Sequence, residues 1–396
     1  MAERSQTAPI DYGVATRSQS APVWTSELEP ELLKQLAPGV PSDLDRHPDV
    51  AIVGAGAVGL ATAVACRRAG LGRVVVLERA QIASGATQHS AGILAPEPHV
   101  WSDPRSLVEL GRESLRLTRA LDVEWDGAPG LSNLDCLIAG LQLGDAPMAI
   151  EAHVEVLRGP KLHERESELV GVEEALLIHD QARVNPVRFS LALAAHAGCV
   201  ATGIDVRRIG RRGDRVTTLF TSHGDIHPGV VVFATGIAPA RYVTIQHAFM
   251  KGHLIATAPV EFRLQSQIST PFGGAFQLDD GRLVSGGTLD TGDGSAKVRQ
   301  EVVETIRRGI ETVLPRAAGV PVTHAWYGFR PHTLDRLPII DKIPGLANAW
   351  VTSGHYRTGI LMAAATGAAL AEWIVSGSQP SNVSAFSLRR FGTSAA

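Results

Sequence analysis

A glycine-rich turn between an apolar strand and an alanine-rich helix constrains this chain more than any other feature. Val50 to Val53 have the length and β-branched content of a buried parallel strand, and residues 57–69 are typical of a helix that ends at a glycine. Gly54, Gly56 and Gly59 mark the turn and the first helical turn. In this pattern the first glycine permits a tight turn, the second lets the backbone approach a pyrophosphate, and the third lets helix and strand pack. The stretch therefore predicts a cradle for a dinucleotide.

A second strand ends in an acid where such folds recognise a ribose. Residues 73–78 read Arg-Val-Val-Val-Leu-Glu, and Glu78 follows Gly59 by 19 positions. A carboxylate there can accept both ribose hydroxyls and would repel a 2′-phosphate. We expect an unphosphorylated adenosine ribose, and at this point both FAD and NAD remain open.

Composition excludes several classes of partner. The chain of 396 residues is long enough for two domains, and 37 Lys and Arg against 40 Asp and Glu give no reason to expect nucleic acid or an anionic membrane surface. Three widely spaced cysteines without a C-x-x-C motif favour a reduced compartment and predict no metal site.

Export signals and membrane spans are the sequence features that predict where a protein is located. The first 48 residues show neither an apolar signal segment nor a twin arginine, so a cytoplasmic protein is expected. The longest apolar run, residues 359–375, contains Glu372 and many small residues, which favours a buried helix over a membrane span. The sequence leaves an oligomer open.

Later segments indicate that the chain returns to the first sheet. Residues 230–236 form another apolar strand that ends in Ala-Thr-Gly, whereas strand patterns dominate from 252 to 323. A polar, flexible arm is expected over residues 1–24 and one short helix over 27–36. The mixture predicts an α/β Rossmann-like nucleotide domain with an inserted, largely antiparallel α+β substrate domain.

Six ordered segments resemble one family, the D-amino-acid oxidase-like flavoproteins that include glycine oxidase, sarcosine oxidase and dimethylglycine dehydrogenase. These segments are residues 53–59, 77–79, 90–96, 234–236, 328–331 and 354–360. The resemblance implies FAD, not NAD, and an amino acid or secondary amine oxidised by hydride transfer to flavin N5. The resulting imine would be hydrolysed, and oxygen or another acceptor would reoxidise the flavin. It also implies a discontinuous FAD-binding domain of residues 49–98, 182–246 and 324–390, a substrate domain of 99–181 and 247–323, and an arm of 1–48.

The resemblance assigns roles to particular residues. Arg330 matches the arginine that holds the substrate carboxylate in glycine oxidase, and His332, Tyr356 and Arg357 join it as candidate catalytic residues. His89 matches the histidine bonded to FAD in dimethylglycine and sarcosine dehydrogenases, although related oxidases with a similar loop hold FAD without a bond. The full cofactor-binding set comprises Gly54, Gly56, Gly59, Glu78, Arg79, Ser84, Thr87, His89, Ala91, Gly92, Val206, Thr235, Gly236, Gly328, Arg330, Gly354, Arg357, Thr358, Gly359 and Ile360.

The chain departs from the family pattern in several places, and two other functions stay open. Gly274 stands where glycine oxidase places a tyrosine facing its substrate, which implies a roomier pocket and a substrate larger than glycine, and His332 and Thr333 stand where sarcosine oxidase tethers its flavin to a cysteine. Residues 334–336 read Leu-Asp-Arg where Pro-Asp-Gly is usual, and residues 357–359 read Arg-Thr-Gly where Arg-Asn-Gly is usual. The alternatives are a flavin-bearing subunit of a multi-subunit amine or opine oxidoreductase, and an NAD-dependent opine-type dehydrogenase.

Overall fold

The structure, a computed structural model, describes residues 21–238 and 247–392. The first 20 residues of the expected arm and residues 239–246 of the expected FAD-binding domain lie outside this part. Helices are interspersed among the strands of the first half of the described chain, whereas the strands from Cys199 to Gly286 follow one another without an α-helix among the described residues between them. The strands are β1 (Val50–Val53), β2 (Val74–Glu78), β3 (Ile93–Leu94), β4 (Ser132–Ile138), β5 (Val154–Arg158), β6 (Glu174–Arg183), β7 (Cys199–Thr202), β8 (Val206–Arg212), β9 (Arg215–Thr221), β10 (Gly224–Ile226), β11 (Val230–Phe233), β12 (His247–Pro259), β13 (Ser266–Thr270), β14 (Gly273–Gln277), β15 (Arg282–Gly286), β16 (Val322–Thr333), β17 (Ile339–Lys342) and β18 (Ala349–Ser353). The helices are α1 (Pro30–Lys34), α2 (Ala57–Arg68), α3 (Arg105–Glu124), α4 (Gly159–Arg165), α5 (Pro186–His196), α6 (Gln300–Val313) and α7 (Ala363–Ser376).

The first sheet has the order β17-β18-β11-β1-β2-β7 and is parallel except for β17. Val53 is in register with Leu77 on β2 and with Phe233 on β11. The expected return of residues 230–233 to the first sheet is therefore confirmed. Parallel strands of one sheet end at a common edge. The residues at the ends of β11, β1 and β2 therefore lie side by side there, in the order Ala234, Gly54 and Glu78.

Helix α7 lies in the middle of the helical layer on this sheet. Its residues from Ala363 to Ala371 are buried except for half-buried Ala368, and it packs closely on α2: a Cβ added at Gly367 would lie 2.6 Å from the carbonyl oxygen of Ala61. No helix in the two described ranges is both long enough and apolar enough to cross a membrane.

The second large sheet has the order β16-β12-β15-β14-β13-β4-β6-β3, and β5 pairs with β6. Its pairs are antiparallel apart from β4 with β13. Strands β8, β9 and β10 form a separate small sheet. The predicted fold class, an FAD-type α/β domain with a largely antiparallel α+β partner, is confirmed.

The expected flexible arm is wrong for its last residues. Val23 and Trp24 are buried and begin a short 3₁₀ helix, Val23–Glu27. The Trp24 ring meets Trp326 edge to face at 6.1 Å between centroids, and its Nε1 donates to the Ser90 carbonyl at 3.0 Å. Two apolar residues in a polar stretch have no period that would show their burial.

Candidate active site

The carboxyl edge of the first sheet forms a glycine-lined turn. Gly54 has φ +113°, and a Cβ there would lie 2.4 Å from the Ala234 carbonyl oxygen. A Cβ at Gly59 would lie 2.1 Å from the Gly54 carbonyl oxygen. At Gly56, the residue before α2, the nearest atom to an added Cβ is the Thr87 hydroxyl at 3.2 Å. The backbone of the turn thus packs closely against Ala234 and against the start of α2. The first N–H groups of a helix have no partner within the helix, so this end of α2 suits a phosphate.

Polar groups at this edge fit an adenine dinucleotide. The Glu78 carboxylate accepts the Ala55 and Ala80 amides, each at 2.9 Å, which fixes it beside the glycine turn with lone pairs left for ribose hydroxyls. Thr87 Oγ1 accepts the Ala57 amide at 3.2 Å. The buried Thr235 hydroxyl, next to Gly236, has no hydrogen-bond partner among the described residues. A buried hydroxyl without a partner is what a bound group would satisfy.

The loop of residues 84–92 carries His89 toward the second sheet. His89 Nδ1 donates to the Gly85 carbonyl at 2.8 Å, and the surrounding protein lowers the pKa of the ring although part of the side chain stays accessible. Gly92, which follows Ala91, has φ +72°, and a Cβ there would lie 2.1 Å from the Val184 carbonyl. Ser84 accepts the Gln88 side-chain amide through its carbonyl. The loop is held both by bonds within it and by the indole nitrogens of Trp24 and Trp326, which donate to the Ser90 and His89 carbonyls.

Two glycines on β12 and β16 leave room on one face of the second sheet for side chains from other positions, and we call the region around them the groove. Gly252 and Gly328 are register partners, so their missing side chains would lie on the same face of the sheet. A Cβ at Gly328 would lie 2.5 Å from His89 Cβ, and one at Gly252 would lie 2.2 Å from a guanidinium nitrogen of Arg330. The groove thus brings together His89 and Arg330, which are distant in sequence.

Arg330 is held in the groove by a backbone carbonyl. One guanidinium nitrogen donates to the Thr288 carbonyl at 2.7 Å. Among the described residues no carboxylate lies within ion-pair distance of it. Burial lowers the pKa of this guanidinium, which nevertheless remains charged at any working pH.

Three further candidates line the same region. The His332 and Tyr356 rings meet edge to face at 5.4 Å, and the Tyr356 hydroxyl contacts Met250 sulfur at 3.2 Å. Tyr356 has φ +49° and its amide donates to the Pro331 carbonyl at 2.8 Å, so β16 dictates this backbone. Arg357 is exposed, with its guanidinium carbon 5.8 Å from the Tyr356 ring centroid. The structure thus places Arg330, His332 and Tyr356 together, with Arg357 at the rim.

The glycine turn before α7 differs from the expectation that the helix begins at Gly359. Helix α7 begins at Ala363, and residues 359–362 form turns. Thr358 terminates the turn: its hydroxyl donates to the His355 carbonyl and its carbonyl accepts the Met362 amide, both at 2.8 Å. Gly354 has φ +71°, and Ile360 is buried in the core. Gly359 therefore lies one turn ahead of the helix.

A profile of the FAD dependent oxidoreductase family matches residues 49–373. The chain belongs to this family. The match confirms an FAD-dependent oxidoreductase with FAD as its cofactor, so the NAD-dependent alternative is not retained.

Named relatives agree with the family. The chain is 28% identical over 356 residues to a glycine oxidase of Pseudomonas aeruginosa, covering 84% of this chain and 95% of the relative. The crystal structure of glycine oxidase from Geobacillus kaustophilus superposes with a TM-score of 0.76 at 25% identity, covering 87% and 99% of the two chains. L-proline dehydrogenase from P. horikoshii shares the fold, with a TM-score of 0.79 at 18% identity over 88% of this chain and 98% of that one.

Val206 and Arg79, both in the predicted cofactor set, are not among the residues that line the glycine turn, the His89 loop or the groove. Val206 is buried with its side chain in the core between the first and the small sheet, so any contact with FAD falls to its backbone. Arg79 is exposed at the end of β2. Their cofactor roles remain predictions.

A charged cluster behind the groove was missed from the sequence. Lys251 is fully buried, and its Nζ donates to Asp293 Oδ2 at 2.8 Å, the Ser295 carbonyl at 2.8 Å and the Lys297 carbonyl at 2.7 Å. His253 Nδ1 contacts Asp290 at 2.8 Å. These side chains alternate with the groove-facing positions of β12 and so lie on the opposite face. A lysine in the middle of a strand, between Met250 and Gly252, was the available signal.

His355 is a buried histidine with a structural role. It is buried, its Nε2 lies 3.2 Å from the Thr366 hydroxyl on α7, and burial lowers its pKa to about 4. The ring is therefore neutral at neutral pH and joins the glycine turn to α7.

Proposed function

We propose that this flavoprotein oxidises a small amino acid at the carbon next to its amine nitrogen, with Arg330 binding the substrate carboxylate. The observation that carries the proposal is a half-buried guanidinium in the groove, held by a backbone carbonyl and without an ion-pair partner among the described residues. A buried charge is costly unless it is paired, and a carboxylate fits the planar fork in two places. The relatives named glycine oxidase and L-proline dehydrogenase support a substrate of this kind.

The chain's own residues position the substrate. Thr288 holds one edge of the guanidinium through its carbonyl, and Gly252 leaves the space in which the guanidinium lies. The nitrogens that remain free would anchor the carboxylate, while Tyr356 and His332 border the same space. When bound, FAD supplies the two-electron acceptor for the hydride that leaves the substrate carbon. If the amine binds unprotonated, no protein base is required, and the imine is hydrolysed by water.

Anaerobic mixing tests the reaction itself. We expect glycine, sarcosine, D-alanine or L-proline to bleach the visible flavin absorbance of the isolated chain without oxygen. Bleaching without any added protein would also count against the alternative of a subunit that only passes electrons to a partner. If dithionite reduces the flavin but no amino acid in a broad panel does, the proposal fails.

A paired substrate comparison tests Arg330. Arg330→Ala should raise KM for a carboxylate-bearing substrate about ten- to a hundredfold, since a hydrogen bond to a charged group contributes about 1.5–3 kcal/mol. Arg330→Lys keeps the positive charge but loses the two-pronged guanidinium, so its KM should lie between those of the wild type and of Arg330→Ala. The matched control is an amine without a carboxylate, whose turnover should be equally poor in all three proteins. An unchanged KM for the amino acid would remove Arg330 from this role.

A further inference from the structure

A cluster of metal-binding side chains lies on the second sheet, at the edge strand β5. His153 precedes β5, Glu155 lies on it, and His179 lies opposite on β6, with the His179 amide donating to the His153 carbonyl at 3.0 Å. Residues two apart on a strand share a face, and so do directly opposed residues. The three side chains therefore project from one face, and their ligand atoms lie within 4.8 Å of one another.

The spacing of these atoms suits a tetrahedral ion. His153 Nε2 and His179 Nε2 lie 3.3 Å and 3.2 Å from the same oxygen of Glu155. Two ligands bound at about 2.05 Å to a tetrahedral zinc ion lie about 3.3 Å apart. The His153 and His179 rings are stacked 5.1 Å apart with 26° between their planes, and the outer ring is exposed to solvent. An ion could therefore enter from solvent and keep water as its fourth ligand.

A second carboxylate orients the inner histidine. Asp135 Oδ2 lies 2.9 Å from His179 Nδ1, which directs Nε2 toward Glu155. Carboxylate–histidine pairs of this kind orient metal-bound imidazoles in general. Arg165 also donates to Asp135 at 2.7 Å and offsets its charge, which leaves Glu155 as the carboxylate whose charge a cation would neutralise.

The strand geometry that brings His179 to this position is irregular. Between the pairs Leu134–Gln181 and Cys136–Ile178 strand β6 has one residue more than β4, and Asp180 has φ +58°. A bulge of this kind re-aims a side chain. Here it sets His179 against both Asp135 and Glu155.

We propose that His153, Glu155 and His179 bind one divalent transition-metal ion of the zinc type, which fastens the edge strand β5 to β6. Imidazole and carboxylate ligands suit such ions, and an ion bound only to the folded state stabilises it. The sequence predicted no metal site because it lacks cysteine pairs, and this cluster uses none.

Zinc titration of the tag-free holoenzyme, freed of chelator, tests the site by calorimetry. We expect one zinc ion per chain in the wild type and at least a tenfold weaker affinity in His153→Asn and in His179→Asn. Asp135→Asn, which removes only the orienting group, should weaken binding about tenfold. His223→Asn, an exposed histidine on the small sheet, is the matched control and should bind like the wild type.

Thermal unfolding gives an independent measurement. Zinc should raise the Tm of the wild type and of His223→Asn, and it should leave the Tm of His153→Asn unchanged. The visible flavin spectrum checks that each variant is folded. Equal zinc affinity in the wild type, His153→Asn and His179→Asn, or no measurable binding in any of them, would overturn the proposal.

Discussion

His89 shows how one hydrogen bond can select the reactive nitrogen of a ring. A carbonyl oxygen can only accept, so Nδ1 must carry the proton that bonds to Gly85. Because the pKa of the ring is lowered, the neutral form dominates at pH 7, and Nε2 then carries a free lone pair. This is the state in which an imidazole can form a bond to an electrophilic carbon.

We predict a covalent bond between His89 Nε2 and FAD. After acid precipitation of the wild type the pellet should stay yellow, whereas in His89→Ala the colour should move to the supernatant. His332→Ala, the other histidine near the groove, is the control and should keep a yellow pellet. Colour that leaves the wild-type pellet entirely would contradict the bond, and a yellow His89→Ala pellet would assign it to another residue.

At the scale of elements, the loop between β15 and α6 ties the two faces of the second sheet together. Thr288 contributes its carbonyl to Arg330 in the groove and its hydroxyl to the His253 amide. Further along the loop, Asp293 and Ser295 hold the buried ammonium of Lys251 on the opposite face. We therefore expect the position of Arg330 to depend on this ion pair on the opposite face.

We predict that Asp293→Asn lowers the free energy of unfolding by about 3 kcal/mol at pH 7, because Lys251 is left buried without its counter-charge. It should also raise KM for the amino acid by loosening Thr288. The Lys251 hydrogen bond holds the pKa of Asp293 well below its usual range. The stabilisation is thus complete above about pH 4, the ordinary value for an unfolded Asp, and is lost as pH falls toward the folded-state pKa.

Denaturant unfolding from pH 3 to pH 7 measures this difference. The difference in free energy of unfolding between the wild type and Asp293→Asn should become smaller as the pH falls toward 3. Glu301→Gln breaks an exposed pair with Arg299 and is the control, and its stability should stay close to that of the wild type at every pH. A gap that stays constant with pH would show that Asp293 acts through packing and not through charge.

For the whole molecule, the sequence predicted best what is local in the chain. The strand, turn and helix around Gly54 are contiguous, and so is the run that ends at Glu78. The pairing of Gly252 with Gly328 spans 76 positions and depends on strand register, which no local pattern encodes. Arg330 was identified by resemblance, and the structure adds the groove around it, in which no described carboxylate pairs with the guanidinium. Its role in binding substrate remains a proposal.

Trp24 gives the clearest case of a long-range contact that joins the whole fold. Its ring packs on Trp326 of the second sheet, and its indole nitrogen bonds to Ser90 in the loop that carries His89. Its carbonyl accepts the side chain of Asn185, which also caps α5 on the first sheet. One fully buried residue thus connects both large sheets and the loop between them.

We predict that Trp24→Ala lowers the free energy of unfolding by about 3–5 kcal/mol, because it removes a large buried ring and leaves a cavity between the sheets. Trp24→Phe keeps most of the apolar contact and loses the hydrogen bond to Ser90. It should therefore lower the free energy of unfolding by clearly less than Trp24→Ala does. Urea unfolding of the holoenzyme followed by tryptophan fluorescence and by flavin release measures both variants. Since Trp24 contacts both sheets, the two signals should shift to lower urea together. A shift in flavin release alone would confine the effect of Trp24 to the loop of residues 84–92.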